Sequence, residues 1–173
     1  MTESARQSSP ACPSRVRHAL RRVCSVAAVG VVAMAVSAAG TAVPAQENHQ
    51  VEMLNKGPDG ERMVFVPAYL HVQPGDSVTF VPVDRSHNSE SILGMIPDAA
   101  DAWKGKINEE ITVTFEEEGV YGYKCLPHYG LGMIGLIQVG EETPNLDEAQ
   151  NVRLPGRAAG RMALLFEQVT AGE

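Results

Sequence analysis

Short apolar runs broken by turn residues dominate the middle of the chain. Val51–Leu54 and Met63–Val66 flank the turn Asn55-Lys56-Gly57-Pro58-Asp59-Gly60, and Tyr69–Val72 is followed by Pro74-Gly75-Asp76. Ser77–Val83 and Ile111–Phe115 alternate apolar and polar positions, the signature of a strand with one buried face. Val120–Cys125 alternates less cleanly, with Tyr121 and Tyr123 on one face, and Met133–Val139 is continuously apolar. Short strands at regular spacing predict an antiparallel sandwich in an all-β domain. Pro97–Lys104 reads as a short helical insert capped by Asp98 or a neighbour.

After about residue 140 the period changes. Leu146–Val152 and Arg157–Val169 read as helices, and in the second Ala158, Met162, Leu165, Phe166 and Val169 recur at helical spacing. Such a stripe predicts a packing face that docks on the sandwich.

The first 45 residues follow another pattern. Arg6, Arg15, Arg17, Arg21 and Arg22 precede an uncharged run of 17 residues, Val23–Ala39, and small residues follow to Ala45. This is a basic, then apolar, then small-residue export signal, expected to be cleaved after Ala45 or Ala42. The run is too short and too weakly apolar for a membrane anchor, which needs roughly 20 strongly apolar residues. The expectation is residues 1–45 as a signal peptide and 46–173 as one domain, a sandwich to about 140 with a helical tail over 144–170. The compartment expected is the periplasm, with no membrane span in the mature chain.

Charge narrows the partners. Five of the 14 basic residues and one of the 21 acids lie before Gln46, so the remainder carries 9 and 20, a net charge of about −11. Nucleic acid requires a basic footprint and is excluded as a partner. Partner contacts that are apolar or basic fit better.

The chemistry concentrates in KCLPHYGLGM. Cys125, His128 and Met133 lie close together there, and His87 lies upstream in SHN. Two imidazoles, a thiolate and a thioether are the donor set of a blue-copper site, with the methionine as a long, weak axial ligand. Cys12 and Cys24 fall in the presequence, which leaves Cys125 as the one thiol of an exported chain. It has no cysteine to pair with, and a metal bond accounts for it. Three donors would come from a tight loop between two strands and His87 from the end of a distant strand. Asn88 is placed to pin the two pieces together, and Pro127 cannot donate an amide hydrogen to the sulfur. His49 and His71 read as bystanders. The expected electron exit is the edge of His128, among Met95, Pro97, Pro127, Tyr129, Gly130 and Leu131.

MLNKG, VFVPAYL, VQPGDSVTFVPVD, HNSESILGMIPD, KINEEITVTF and GVYGYKCLPHYGLGMIG, in this order from Val51 to Gly140, resemble the pseudoazurin family of cupredoxins. The resemblance implies a Greek-key cupredoxin β-sandwich of about eight strands with two C-terminal α-helices. It implies one type 1 copper ion held by His87, Cys125, His128 and Met133. It also implies a monomeric one-electron carrier of the periplasm serving redox partner proteins, such as a c-type cytochrome as donor and a copper nitrite reductase of denitrification as acceptor. One departure stands out. Members of the family ring the copper edge with lysines, whereas this chain has Ser89, Ser91 and Leu93 near His87 and keeps Lys56, Lys104, Lys106 and Lys124. A partner with a less acidic docking face, or a high-salt setting that screens charge, fits that change.

Two other functions compete. A copper-delivery or storage protein would expose labile sulfur donors, where here the donors come from rigid neighbours. A Cys-His hydrolase needs an oxyanion hole and a substrate cleft, and it leaves Met133 without a task. The chain is therefore expected not to be an enzyme.

Overall fold

The computed structural model describes residues 45–171. The expected signal segment, with Cys12, His18 and Cys24, lies outside the described residues. Among the described residues eight strands form two four-stranded sheets. The first has the order β2-β1-β4-β6, from Arg62–Val66, Asn48–Lys56, Ser77–Val81 and Ile111–Thr114. The second has the order β3-β8-β7-β5, from Tyr69–Val72, Ile134–Val139, Gly119–Lys124 and Glu90–Ser91. The helices are α1, Leu146–Gln150, and α2, Ala158–Ala171.

The expected strands are present, Tyr69–Val72 with its expected bounds and the others with shifted ends, and β5 is an addition to them. The purely antiparallel arrangement needs correction, because β1 runs parallel to β4 and β3 parallel to β8. β1 pairs antiparallel with β2 as a hairpin, but its other neighbour is reached by crossing to the second sheet and back, which brings β4 in alongside it in the same direction.

Val51, Met53, Phe65, Val78, Phe80, Tyr121, Tyr123, Ile137 and Val139 fill the space between the sheets. Phe65, Phe80, Trp103 and Tyr123 pack ring against ring there, at centroid distances of 4.8–6.4 Å. A second cluster lies on the outer face of the β3-β8-β7-β5 sheet. Ile134 and Leu136 of β8 and Val120 of β7 meet Ala158, Met162, Leu165 and Val169 of α2. The helical stripe is thus a packing face, with Phe166 at its half-buried margin. The two clusters explain why β8 reads as apolar except for Gln138, which accepts from Tyr69 Oη: one face looks into the sandwich and the other lies under α2. Gly135 stands opposite Tyr123 in the β7–β8 pair, and a Cβ there would collide with the tyrosine ring, so the glycine makes room for the largest fully buried side chain of the core.

The segment Pro97–Lys104 is not helical. Its end lies instead along the β5 edge, with Ser91 N donating to Trp103 O (3.1 Å) and Gly105 N to Ser89 O (2.8 Å), and the Trp103 side chain donates from Nε1 to Ser89 Oγ (3.0 Å). Burying Trp103 against Phe80 and Phe115 requires that extended path, and it overrides the local preference for a helical turn. Among the described residues no helix is long and apolar enough to cross a membrane.

Candidate metal centre

Two connections meet at one end of the sandwich. The first runs from β4 to β5 and carries His87. The second runs from β7 to β8 and carries Cys125, a 3₁₀ turn over Leu126–Leu131, Gly132 and Met133. His87 therefore belongs to the connection itself, between Val81 and Glu90, and not to a strand end. Leaving β7, the chain tightens at once: Pro127 opens the 3₁₀ turn, and Gly132 closes it at φ 90°, a left-handed conformation that favours glycine.

The structure brings His87, Cys125 and His128 together. His87 Nδ1 is 3.1 Å from His128 Nδ1, and Cys125 Sγ is 3.6 Å from the first and 3.5 Å from the second. Nε2 of His87 donates to Asn55 Oδ1 at 3.2 Å, which leaves Nδ1 as the lone-pair side of a neutral ring. Two Nδ1 atoms and a sulfur that face one another need a proton or a cation among them. Bonds of about 2.0 Å to nitrogen and about 2.3 Å to sulfur put donors sharing one ion about 3.1–3.7 Å apart, and the three separations fall in that range. The donor set fits a soft or borderline first-row metal. Among the described residues this is the one such group of three histidine, cysteine or carboxylate donors.

Met133 is fully buried in the same cluster as Cys125. Its N–H donates to His128 O (3.2 Å) and its carbonyl accepts from Cys125 N (3.0 Å), so its backbone is tied to both donors of the loop.

Asn88 joins the two connections, as expected from sequence. Its Oδ1 accepts from Leu126 N at 2.8 Å, and its Nδ2 donates to Gly105 O at 3.1 Å. Burial pushes the Cys125 thiol above its ordinary value; backbone hydrogen bonds from Asn88 and His128 pull it down, and the Glu90 carboxylate adds to the rise. Burial and then the neighbouring His128 hold the His87 imidazole below the usual histidine range, with Asp84 opposing. Metal binding to such a site removes a proton from sulfur and none from His87 at neutral pH.

Sequence reasoning missed three residues. Asn55 looked like a turn residue and instead holds the far nitrogen of His87. Glu90 is buried between Lys124 (Oε1, 3.3 Å) and Lys104 (Oε2, 3.7 Å). Arg161 reaches the loop from α2. Only Glu90 left a trace in sequence, as an acid within the polar run that ends at Ser91. The exit patch also needs correction: Met95 and Pro97 are buried, Met95 behind β7 against Gly122. The exposed apolar residues beside half-buried His128 are Leu126 (48 %) and Leu131 (51 %). His49 and His71 lie apart from the cluster, with His49 Nε2 on Asp76 Oδ2 (3.1 Å) and His71 Nε2 on Gly140 O (2.8 Å).

Residues 51–140 match the family of copper binding proteins described as the plastocyanin/azurin family. A pseudoazurin of Paracoccus pantotrophus is 46 % identical over 145 residues, 84 % of this chain and 97 % of that protein. The solved pseudoazurin of Sinorhizobium meliloti superposes with a TM-score of 0.71 at 48 % identity, covering 74 % of this chain and all of that one. The pseudoazurin structure from Methylobacterium extorquens gives 0.68 at 46 % identity, over 70 % and 98 % of the two chains.

Proposed function

The chain belongs to the pseudoazurins, within the plastocyanin/azurin family of copper-binding electron carriers, and from that premise we propose that His87, Cys125, His128 and Met133 are its copper ligands. The fold is the cupredoxin sandwich, the cofactor is copper, and the family transfers electrons and is not enzymatic. The observation that carries the ligand assignment is the convergence of two Nδ1 atoms and one Sγ within 3.1–3.6 Å. Cys125 supplies the thiolate, the two imidazoles complete the plane, and Met133 is the weak axial donor.

Bound copper supplies a one-electron couple. The chain's part is to hold the donors still, so that both oxidation states share one geometry. Asn55 fixes the His87 ring, Asn88 ties the two connections, and the Met133 backbone locks Cys125 to His128. His87 and Cys125 are fully buried while His128 is half-buried, so the His128 ring is the shortest route from the cluster to a partner.

The physiological setting is part of the proposal. Residues 1–45 direct export to the periplasm and are removed, and 46–173 act there as a monomeric domain between a c-type cytochrome and an acceptor such as a copper nitrite reductase. Docking is apolar, through Leu126 and Leu131. Local charge around the site is largely cancelled within the protein: Lys104 and Lys124 face Glu90, and Lys106 faces Glu109 (3.3 Å).

The test is a visible spectrum of the cupric protein followed by repeated oxidation and reduction. An intense thiolate-to-copper band and full retention of metal through the cycles are expected. Loss of copper on reduction points to delivery or storage instead, and a colourless cupric sample ends the ligand assignment. Leu131→Lys is expected to slow transfer to the partner with the spectrum preserved; an unchanged rate moves the docking surface elsewhere.

A further inference from the structure

Arg161 extends from the first turn of α2 across the glycine that precedes Met133. Its Nη1 donates to Gly132 O at 2.7 Å and to Met63 O at 3.0 Å, and its Nη2 donates to Arg62 O at 3.2 Å and pairs with Glu61 Oε2 at 2.5 Å. An added Cβ on Gly132 would come within 2.9 Å of Arg161 Cδ, so the side chain lies directly over that residue. One turn earlier, Arg157 N donates to Gly130 O at 3.1 Å. The start of α2 and the residue before it thus hold the carbonyls on both sides of Leu131, within the stretch that joins His128 to Met133.

Docking α2 on the sheet does not need this. The apolar stripe of Ala158, Met162, Leu165 and Val169 already does so. Arg161 is instead a cation with its side chain only 16 % exposed and its Nε buried without a partner. Taking a cation out of water is costly, and an unpaired N–H adds to the cost. The guanidinium spends its remaining donors on three backbone carbonyls and the Glu61 carboxylate. Its planar fork bridges acceptors in a fixed geometry, which a lysine ammonium cannot do. The carbonyl it holds at Gly132 belongs to the peptide that leads into Met133, whose own backbone is bonded to His128 and Cys125.

We propose that Arg161 is a positioning residue of the metal loop, setting from the C-terminal helix where Met133 stands relative to His87, Cys125 and His128. The proposal rests on Met133 being the axial ligand. Residues that orient a metal ligand commonly change affinity by about 10–100-fold when replaced.

The test uses the copper-loaded protein with Arg161→Lys, which keeps the charge and loses the fork, and Arg161→Gln, which loses both. Copper affinity is expected to fall about tenfold or more in chelator competition. The thiolate-to-copper spectrum of the folded fraction is expected to shift in both variants, with helix content by circular dichroism unchanged. Wild-type spectra and affinities in both would overturn the proposal and leave Arg161 a helix-docking residue. Glu61→Gln loosens the outer end of the same fork without touching the core; a spectrum that moves the same way by less supports the proposal, and one that does not move counts against it. Met133→Leu separates the two levels. If its spectrum changes while that of Arg161→Lys does not, the positioning role alone fails. If Met133→Leu itself leaves the spectrum unchanged, the axial-ligand assignment fails.

Discussion

Replacing Asn88 with alanine removes the side chain that ties the His87 connection to the Cys125 loop. The backbone N–H of Asn88 that faces the sulfur is retained, so the perturbation is confined to two hydrogen bonds. Leu126 N loses its acceptor at 2.8 Å, and Gly105 O loses its donor at 3.1 Å. A buried group left unpaired costs about 1–3 kcal/mol. Gly105 is buried and takes the full cost, whereas half-exposed Leu126 can recruit water and falls at the low end. Together they come to about 2–4 kcal/mol. With an unfolding entropy of about 2.1 cal/mol/K per residue, a domain of this size has about 0.27 kcal/mol/K, so the melting midpoint should fall by about 7–15 °C. The assay is thermal and denaturant unfolding of the metal-free protein, which keeps the copper contribution out of the comparison. Asn88→Asp retains an acceptor for Leu126 N and should recover part of the loss. A change in Asn88→Ala below about 0.5 kcal/mol, the range of an uninvolved surface substitution, would refute the tie.

Glu90 offers a comparison within one carboxylate. Lys124→Met strands a buried acid whose nearer cation is only 18 % exposed, and should cost about 2–3 kcal/mol in denaturant unfolding, whereas Lys104→Met, at a side chain 73 % exposed, should cost less than about 1 kcal/mol; equal costs would contradict the assignment of Lys124 as the main partner. Pro127→Ala gives the sulfur a possible third amide donor beside those of Asn88 and His128, drawing electron density from the thiolate and favouring the reduced state. Voltammetry should show a rise of at most about 60 mV, the equivalent of a hydrogen bond worth about 1.4 kcal/mol, and a lowered or unchanged potential would reject the reasoning. Asp76 is buried, which raises its pKa, but the amides of Glu47 and Gln73 and the His49 ring outweigh burial and hold it below the ordinary aspartate value. A depressed folded value means that its stabilisation is complete above about pH 4, the unfolded value, and is lost as pH falls through the lower folded one. Melting midpoints should drop below pH 4 in the parent, while Asp76→Asn should melt lower at pH 7 and show a shallower acid slope; parallel pH profiles would count against this role.

The amino-acid sequence alone determined the strand-forming segments, the packing stripe of α2 and the candidate donors. Val78 and Phe80 alternate with polar neighbours because one face of β4 is buried, and that period survives without knowledge of the fold. Cys125, His128 and Met133 lie on one short loop, so their proximity is a local property of chain length. Distance along the chain hid the rest. His87 reaches the other donors only because the two sheets close at one end, and Asn55 finds its ring only through the β1–β2 hairpin. Arg161 bonds Gly132 and Met63, far away in sequence, so no local pattern could mark it. The path of Pro97–Lys104, a turn at its start and then an extended stretch, follows from burying Trp103 among core aromatics, a tertiary gain larger than the preference of any short helical turn. Local period and donor chemistry are written in neighbouring residues; register, burial of charge and the aim of a side chain belong to contacts that exist only once the sheets have closed.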